Sequence, residues 1–304
     1  MLGFVVRRLL AIPPMLLLVS LFTFLMLKAA PGGPFDAERN LPPEIKKNVE
    51  DKFNLNAPWP EQYLSYVAGL VRLDLPSTKR PGLTVAEIIA TSFPQSAHLG
   101  VMALCFALFF GVGAGLLSGV RQNTPWDYGA MSLAFVGISV PSFVIGPVLV
   151  LVFSLGLAWL PPARWQGVDT WILPTATLGL VEAAYLARLT RAGMLEVVRQ
   201  DFIVTARAKG LSEATVIRRH ALKGALLPVV TWLGPAVARL LTGTVVVESI
   251  FQVPGLGYYF VQTALDRDDP MTMGVVVFYS TVVMLLNLAV DVAYTWLDPR
   301  VRYA

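Results

Sequence analysis

LLAIPPMLLLVSLFTFLML, residues 9–27, is a run of nineteen uncharged residues, preceded by Arg7 and Arg8 and followed by Lys28. As an α-helix it would be about 29 Å long, close to the hydrocarbon thickness of a bilayer. A secretory signal has a shorter apolar stretch, about 7–15 residues, and small residues at both key positions before the cut. Here Lys28 stands where a small residue should precede Ala30. The segment is therefore expected to be a retained membrane anchor.

Five more stretches of that character follow, at about residues 96–120, 131–157, 171–188, 225–247 and 274–297. Composition agrees with them: 55% of the 304 residues are apolar and only 14% are charged, against about 25% charged in typical soluble chains. Disorder, a disulfide scaffold and a soluble enzyme are excluded together. Six crossings put both termini on one side. Arg7, Arg8, Arg121, Arg191, Arg199, Arg207, Lys209, Arg218, Arg219, Lys223, Arg300 and Arg302 fall on one set of short segments, against Arg164 and Arg267 on the other. Because short cytoplasmic loops carry the excess of lysine and arginine, both ends are expected in the cytoplasm. The net charge of +4 thus reports topology and does not imply nucleic acid.

The segment between the first two crossings is too patterned for a tether. Pro42 and Pro43 are placed to open a helix in which Ile45, Val49 and Phe53 recur every four residues, and Trp59, Tyr63, Val67 and Leu70 form a second amphipathic stripe. Thr84 and Glu87 make a capping box before Ile88 and Ile89, predicting a third short helix that leads into the second crossing. The domain division expected is an anchor at 1–30, a small helical extracytoplasmic segment at 31–94, a five-helix membrane domain at 95–298 and a cytoplasmic tail at 299–304. Pro141 and Pro147 in the third crossing, Pro174 in the fourth, and Pro228 and Pro235 in the fifth require neighbouring helices, hydroxyls or water to satisfy the carbonyls they free.

Catalytic chemistry finds little footing. No glycine is followed by lysine, so the phosphate-cradling loop is missing, and neither a His-Glu-x-x-His helix nor a Gly-x-Ser-x-Gly elbow occurs. Cys105, His98 and His220 are dispersed and suggest no metal site. The chain is expected not to be an enzyme. Three charges fall within or near crossings: Glu182, Arg239 and Asp291. Each costs at least about 2.5 kcal/mol at mid-bilayer unless sheltered, which makes them candidates for a polar pathway or a proton relay. Alternatively, Glu182 pairs with Arg188 and Asp291 snorkels or pairs near the inner face. Arg239 is expected in a water-filled cavity, with a partner that the sequence does not name.

The inner loop at 191–223 holds seven basic and three acidic residues in 33 positions. Ala206-Arg-Ala-Lys209 reads as the end of a short helix closed by Gly210 in the left-handed conformation, with Leu211 following and a new start capped by Ser212. Such a helix suits a partner's groove, and its charge equally suits anionic lipid. The pattern decides between them. Arg188-Leu-Thr-Arg191, Met194-Leu-Glu-Val197, Asp201-Phe-Ile203, Thr205-Ala-Arg-Ala-Lys-Gly-Leu211, Arg219-His-Ala-Leu222 and Ala225-Leu-Leu-Pro228 resemble the coupling loop of dipeptide and oligopeptide ABC importer permeases. The resemblance extends over the chain through Ala30-Pro-Gly-Gly-Pro34, Gln122-Asn123, Trp126-Asp-Tyr128, Val140-Pro-Ser-Phe143, Glu248-Ser-Ile-Phe251, Pro254-Gly-Leu-Gly257 and Leu297-Asp-Pro-Arg300. Leu41-Pro-Pro-Glu44 and Ser92-Phe-Pro94 make it most similar to the first of the two oligopeptide permease subunits. Of the general importer pattern Glu-Ala-Ala, three residues, Gly, nine residues, Ile-x-Leu-Pro, only Ala206, Gly210 and Leu222 match; the peptide branch has Thr-Ala-Arg-Ala-Lys-Gly instead.

The resemblance implies an all-α membrane protein with six transmembrane helices and the type I ABC importer fold, located in the inner membrane. It implies a homologous second permease subunit, two ABC ATPase subunits that bind ATP and Mg, an extracytoplasmic peptide-binding protein, a peptide substrate and surrounding lipid. No cofactor is expected in this chain. Thr205, Ala206, Arg207, Ala208, Lys209, Gly210 and Leu211 would form the ATPase-coupling element. Two rivals stand beside this reading: a nickel-importing sibling, for which two histidines and one cysteine offer few soft ligands, and a proton-coupled transporter using Glu182, Arg239 and Asp291.

Overall fold

The computed structural model of the chain describes residues 2–30, 56–242 and 244–297. The helix expected at Pro42 and Pro43, the motif at 41–44, residues 31–34 of the first proline-glycine motif, and the tail at 299–304 with most of the final Leu-Asp-Pro-Arg motif lie outside those residues. Twelve helices are named here: α1 (Leu2–Ala29), α2 (Trp59–Arg72), α3 (Val85–Val120), α4 (Pro125–Ser139), α5 (Ser142–Gly156), α6 (Val168–Val197), α7 (Asp201–Ala208), α8 (Glu213–Ala225), α9 (Leu227–Thr242), α10 (Val245–Phe251), α11 (Leu256–Leu265) and α12 (Asp269–Leu297). The fold is all-α among the described residues, and its only extended pairing there is an isolated bridge between Pro76 and Thr84.

Among the described residues, four helices are long and apolar enough to cross a membrane: Gly3–Ala29, Val85–Val120, Val168–Val197 and Asp269–Val292. The number rises to six if each of two bent pairs is one span. α4 and α5 meet at 111°, so the third expected crossing is not a straight rod. The cause is local: Pro141 holds Val140 extended at φ −96° and ψ 122°, since the proline ring disfavours a helical conformation in the residue before it. α8 and α9 meet at 49°, and the fifth expected segment is further divided between α9 and α10. By contrast Pro147, Pro174 and Pro235 lie inside continuous helices. The capping box forms, with Thr84 N donating to Glu87 Oε2 at 2.8 Å and Glu87 N to Thr84 Oγ1 at 3.2 Å. The helix it opens does not stop before the membrane, however: it continues to Val120 through Pro94, so the separate short helix expected there is absent.

The chain forms two compact units, Met1–Ser96 with Pro254–Ala304, and Ala97–Val253. In the first unit, α1 packs along α12, and Phe24, Tyr66, Leu75, Val85, Ile88, Leu256, Met271 and Met273 make its core. The amphipathic stripe of α2 points there: Tyr63, Val67 and Leu70 all pack against that core. Burial, with the Asp269 and Asp268 carboxylates nearby, pushes the Tyr66 phenol above its ordinary range and keeps it protonated. Asp268 caps α12 by accepting from Met271 N at 3.3 Å. The same carboxylate accepts from the Ser77 hydroxyl, from Thr78 N at 3.1 Å, from Thr78 Oγ1 at 2.9 Å and from Lys79 N at 3.4 Å. One buried carboxylate thereby holds the 77–79 loop.

In the second unit α6 is central. Thirteen of its thirty residues are buried, and α3, α4, α5, α8 and α9 all pack on it. Contact with α3 runs along glycines four residues apart. A Cβ on Gly111 would stand 2.5 Å from the Ala183 carbonyl oxygen, one on Gly115 2.5 Å from that of Ala187, and one on Gly119 2.6 Å from Met194 Cβ. Between membrane helices, where apolar burial against lipid gives no driving force, such small-residue ridges allow backbone-to-backbone van der Waals contact. Gly113, on the other face of α3, has nothing within 4 Å of its Cβ position. Gly115→Val is accordingly expected to cost about 1–3 kcal/mol or more through overpacking, seen as a lower unfolding temperature in detergent and poor accumulation in the membrane. Gly113→Ala should leave both unchanged.

Candidate functional site

Two charged constellations lie in the second unit. The first is at the middle of α6. Glu182, fourteen residues from Val168 and fifteen from Val197, faces α9 and accepts from Arg239 Nη2 at 3.1 and 3.2 Å, from Arg239 Nε at 3.3 Å and from Trp232 Nε1 at 3.2 Å. The guanidinium also lies over the Trp232 ring at 4.5 Å, and that ring stacks on Tyr185 at 5.2 Å between centroids. Spacing accounts for this set: Glu182 and Tyr185 are three residues apart on α6, while Trp232 and Arg239 are seven apart on α9, and each pair shares a helix face. Glu182 is nearly covered, its side chain 10% exposed, whereas that of Arg239 is 46% exposed.

These contacts supply the partner of Arg239 that the sequence left unnamed, and they correct the alternative pairing of Glu182 with Arg188. Six residues turn a helix through about 600°, leaving the two side chains about 120° apart around the axis. Arg188 is exposed and lines a cavity of about 580 Å³ with Met131, Phe135, Tyr185, Leu189 and Arg191. Asp291 belongs to the first unit, where it pairs with Arg8 at 2.6 Å.

The second constellation is the loop at 191–223. Asp201 begins α7 and Arg207 lies in its last turn, the charge order that the helix dipole favours. Ile203 and Ala206, three residues apart, are buried among Met194, Val197, Val216, Ala221 and Ala225, so the loop is a packed element seated on the end of α6. Gly210 has φ +76°, and the next helix starts after Ser212, whose backbone is extended. Thr205, Ala206, Arg207 and Ala208 are helical, while Lys209, Gly210 and Leu211 form the turn. Arg207 bridges it, donating through Nε to Glu213 Oε1 at 2.7 Å. Facing outward are Phe202, Val204, Lys209 and Leu211.

Beside this loop lies a site that the sequence reading quoted without giving it a role. Asp127, 1% exposed in the first turn of α4, accepts from Arg191 Nε at 2.7 Å, from Arg191 Nη2 at 2.9 Å, from Asn123 N at 2.9 Å and from the Ser118 hydroxyl. It ties the end of α3, the start of α4 and the last third of α6 together. A lone carboxylate opening an apolar helix was the available signal, but its arginine is 64 positions away. Removing one member of a buried pair typically costs about 3–5 kcal/mol. Asp127→Ala is expected to lose that order of stability, and the double variant with Arg191→Ala should lose clearly less than the sum of the singles in a thermal-unfolding cycle.

Against known proteins, the family described as "Binding-protein-dependent transport system inner membrane component" matches residues 111–303, and its N-terminal counterpart matches residues 1–99. The oligopeptide transport system permease protein OppB of Haemophilus influenzae is 44% identical over 306 residues, covering 100% of both chains. The dipeptide transport system permease protein DppB of Bacillus subtilis is 41% identical, covering 98% of this chain and 97% of its own. Among solved structures, the MetNI methionine ABC transporter in an inward-facing conformation matches with a TM-score of 0.57 at 16% identity, over 69% of this chain and 96% of that one. This last likeness bears on the fold, which is that of a type I importer permease. The protein therefore belongs to the binding-protein-dependent transport system inner membrane components, a family of multi-pass inner-membrane proteins.

Proposed function

We propose that this chain is one permease subunit of an ATP-driven importer of oligopeptides or dipeptides, forming half of the translocation pathway. The observation that carries the reading is end-to-end similarity to the permeases of an oligopeptide and a dipeptide system. A homologous permease supplies the other half, an extracytoplasmic binding protein delivers the peptide, and two ATPase subunits bind ATP and Mg. Both termini lie in the cytoplasm, as does the 191–223 loop, and the segment at 31–94 faces outward.

In this reading the α7 turn is the coupling element. Driving a pathway from almost wholly inward-facing to almost wholly outward-facing takes a bias of about 5.5 kcal/mol, which a loose electrostatic contact does not transmit. The burial of Ile203 and Ala206 gives the required stiffness. Arg207, paired with Glu213, holds the turn closed, while Phe202, Val204 and Leu211 offer the apolar anchor and Lys209 the exposed cation for an ATPase cleft. Glu182 and Arg239 line the pathway, because a carboxylate at the middle of a spanning helix and the half-exposed guanidinium paired with it are tolerable only against water or protein.

The test is uptake in proteoliposomes carrying all partner subunits. Peptide accumulation should require ATP and should not follow an imposed proton gradient alone; nickel in place of peptide should not accumulate. Lys209→Glu should weaken ATPase docking, and Gly210→Pro should abolish coupling because the ring fixes φ near −65° where the turn has +76°. Gly210→Ala meets no neighbour within 4 Å and should cost only the left-handed strain of about 1–2 kcal/mol. Membrane insertion should be normal in all three. Unchanged peptide uptake in both Lys209→Glu and Gly210→Pro would reject the coupling role.

A further inference from the structure

We infer that the Glu182–Arg239 pair is a charge-exchange station for the peptide's own termini. The inference rests on the peptide-importer reading. It starts from a comparison of two ion pairs on the same helix. Asp127 and Arg191 meet at 2.7 and 2.9 Å, with side chains 2% and 28% exposed, and the carboxylate takes two further donors. Glu182 and Arg239 meet at 3.1 to 3.3 Å, with the guanidinium 46% exposed. Charge-assisted N–H···O bonds settle at about 2.7–2.9 Å when nothing opposes them. The first pair is a closed clamp. The second is longer, open on the arginine side, and sits at the midpoint of the helix where an unpaired charge costs most.

A peptide with free ends is a zwitterion, and its ammonium and carboxylate are the groups a bilayer rejects most strongly. Glu182 and Arg239 present the complementary charges. As the pair opens, Arg239 takes the peptide carboxylate in a two-pronged contact and Glu182 takes the ammonium, so no charge stands alone at any stage. The aromatic pair makes the exchange tolerable for the protein. Trp232 keeps its Nε1 donor on Glu182 and its ring under the guanidinium, and Tyr185 backs that ring. Neither charge therefore depends wholly on the other. On Tyr185's side lies the 580 Å³ cavity, where Met131, Phe135 and Leu189 offer an apolar wall beside Arg188 and Arg191.

The experiment uses the complete transporter in proteoliposomes and three forms of one tripeptide: free, C-amidated and N-acetylated, in a sequence whose three forms the binding protein holds with equal affinity. Wild type should take up the free form fastest. Arg239→Gln should slow the free and acetylated forms about tenfold, the loss of one charge-assisted contact, and leave the amidated form nearly unchanged. Glu182→Gln should spare the acetylated form instead. Arg239→Lys, which keeps the charge, should retain the preference for a free carboxylate even if the rate falls. Equal slowing of all three forms in each variant would mean that the pair only holds α6 to α9, and would overturn the inference. So would no slowing at all in an ATP-dependent wild-type background. A wild type whose peptide uptake ignores ATP would overturn the functional reading itself.

Discussion

Direct contact between the backbones of α3 and α6 sets the rest of the second unit. With Gly111, Gly115 and Gly119 against Ala183, Ala187 and Met194, the two helices approach more closely than any β-carbon on α3 would permit. That approach brings the end of α3 beside the last third of α6, where Ser118 and Arg191 reach the same carboxylate of Asp127. It also leaves the neighbouring flank of α6 to α8 and α9. Gly193 repeats the device there, its Cβ position 2.4 Å from the Ala225 carbonyl oxygen. Both charged sites are thus seated on one well-packed helix.

The sequence was most informative where function depends on short-range order. Gly210 and the Ser212 start declared the turn, and the Thr84–Glu87 box declared the beginning of a helix, because each feature is completed by residues within a few positions of itself. Apolar runs located the four long apolar helices for a similar reason. Where the axis bends, however, hydropathy has no opinion. Of the several prolines within apolar runs, only that at Pro141 and the one following the Leu226–Leu227 junction accompany sharp breaks; the others are absorbed by neighbours that a linear reading does not see.

The polar sites show the same division. Glu182 and Arg239 stood out individually because of the solvent they are placed in, yet their pairing spans 57 positions and depends on how α6 and α9 are rotated. The nearby cation, Arg188, was attractive only when distance along the chain was mistaken for distance around a helix. Asp127 was passed over because a single acidic residue near an apolar helix start is an ordinary capping feature, and nothing local announces that Arg191 closes on it.

The Asp268 carboxylate has a bearing on biosynthesis. Its hydrogen bonds reach back 189 to 191 positions to the 77–79 loop, and its neighbour Asp269 pairs with Lys28 at 3.6 Å. The carboxylates these donors need are translated long after the donors themselves. During elongation α1 and the 77–79 loop are made before the carboxylates they bind, and these contacts of the first unit close only once the start of α12 has been synthesised. A nascent chain that stops short of Asp268 therefore leaves the 77–79 loop without the carboxylate that fixes it.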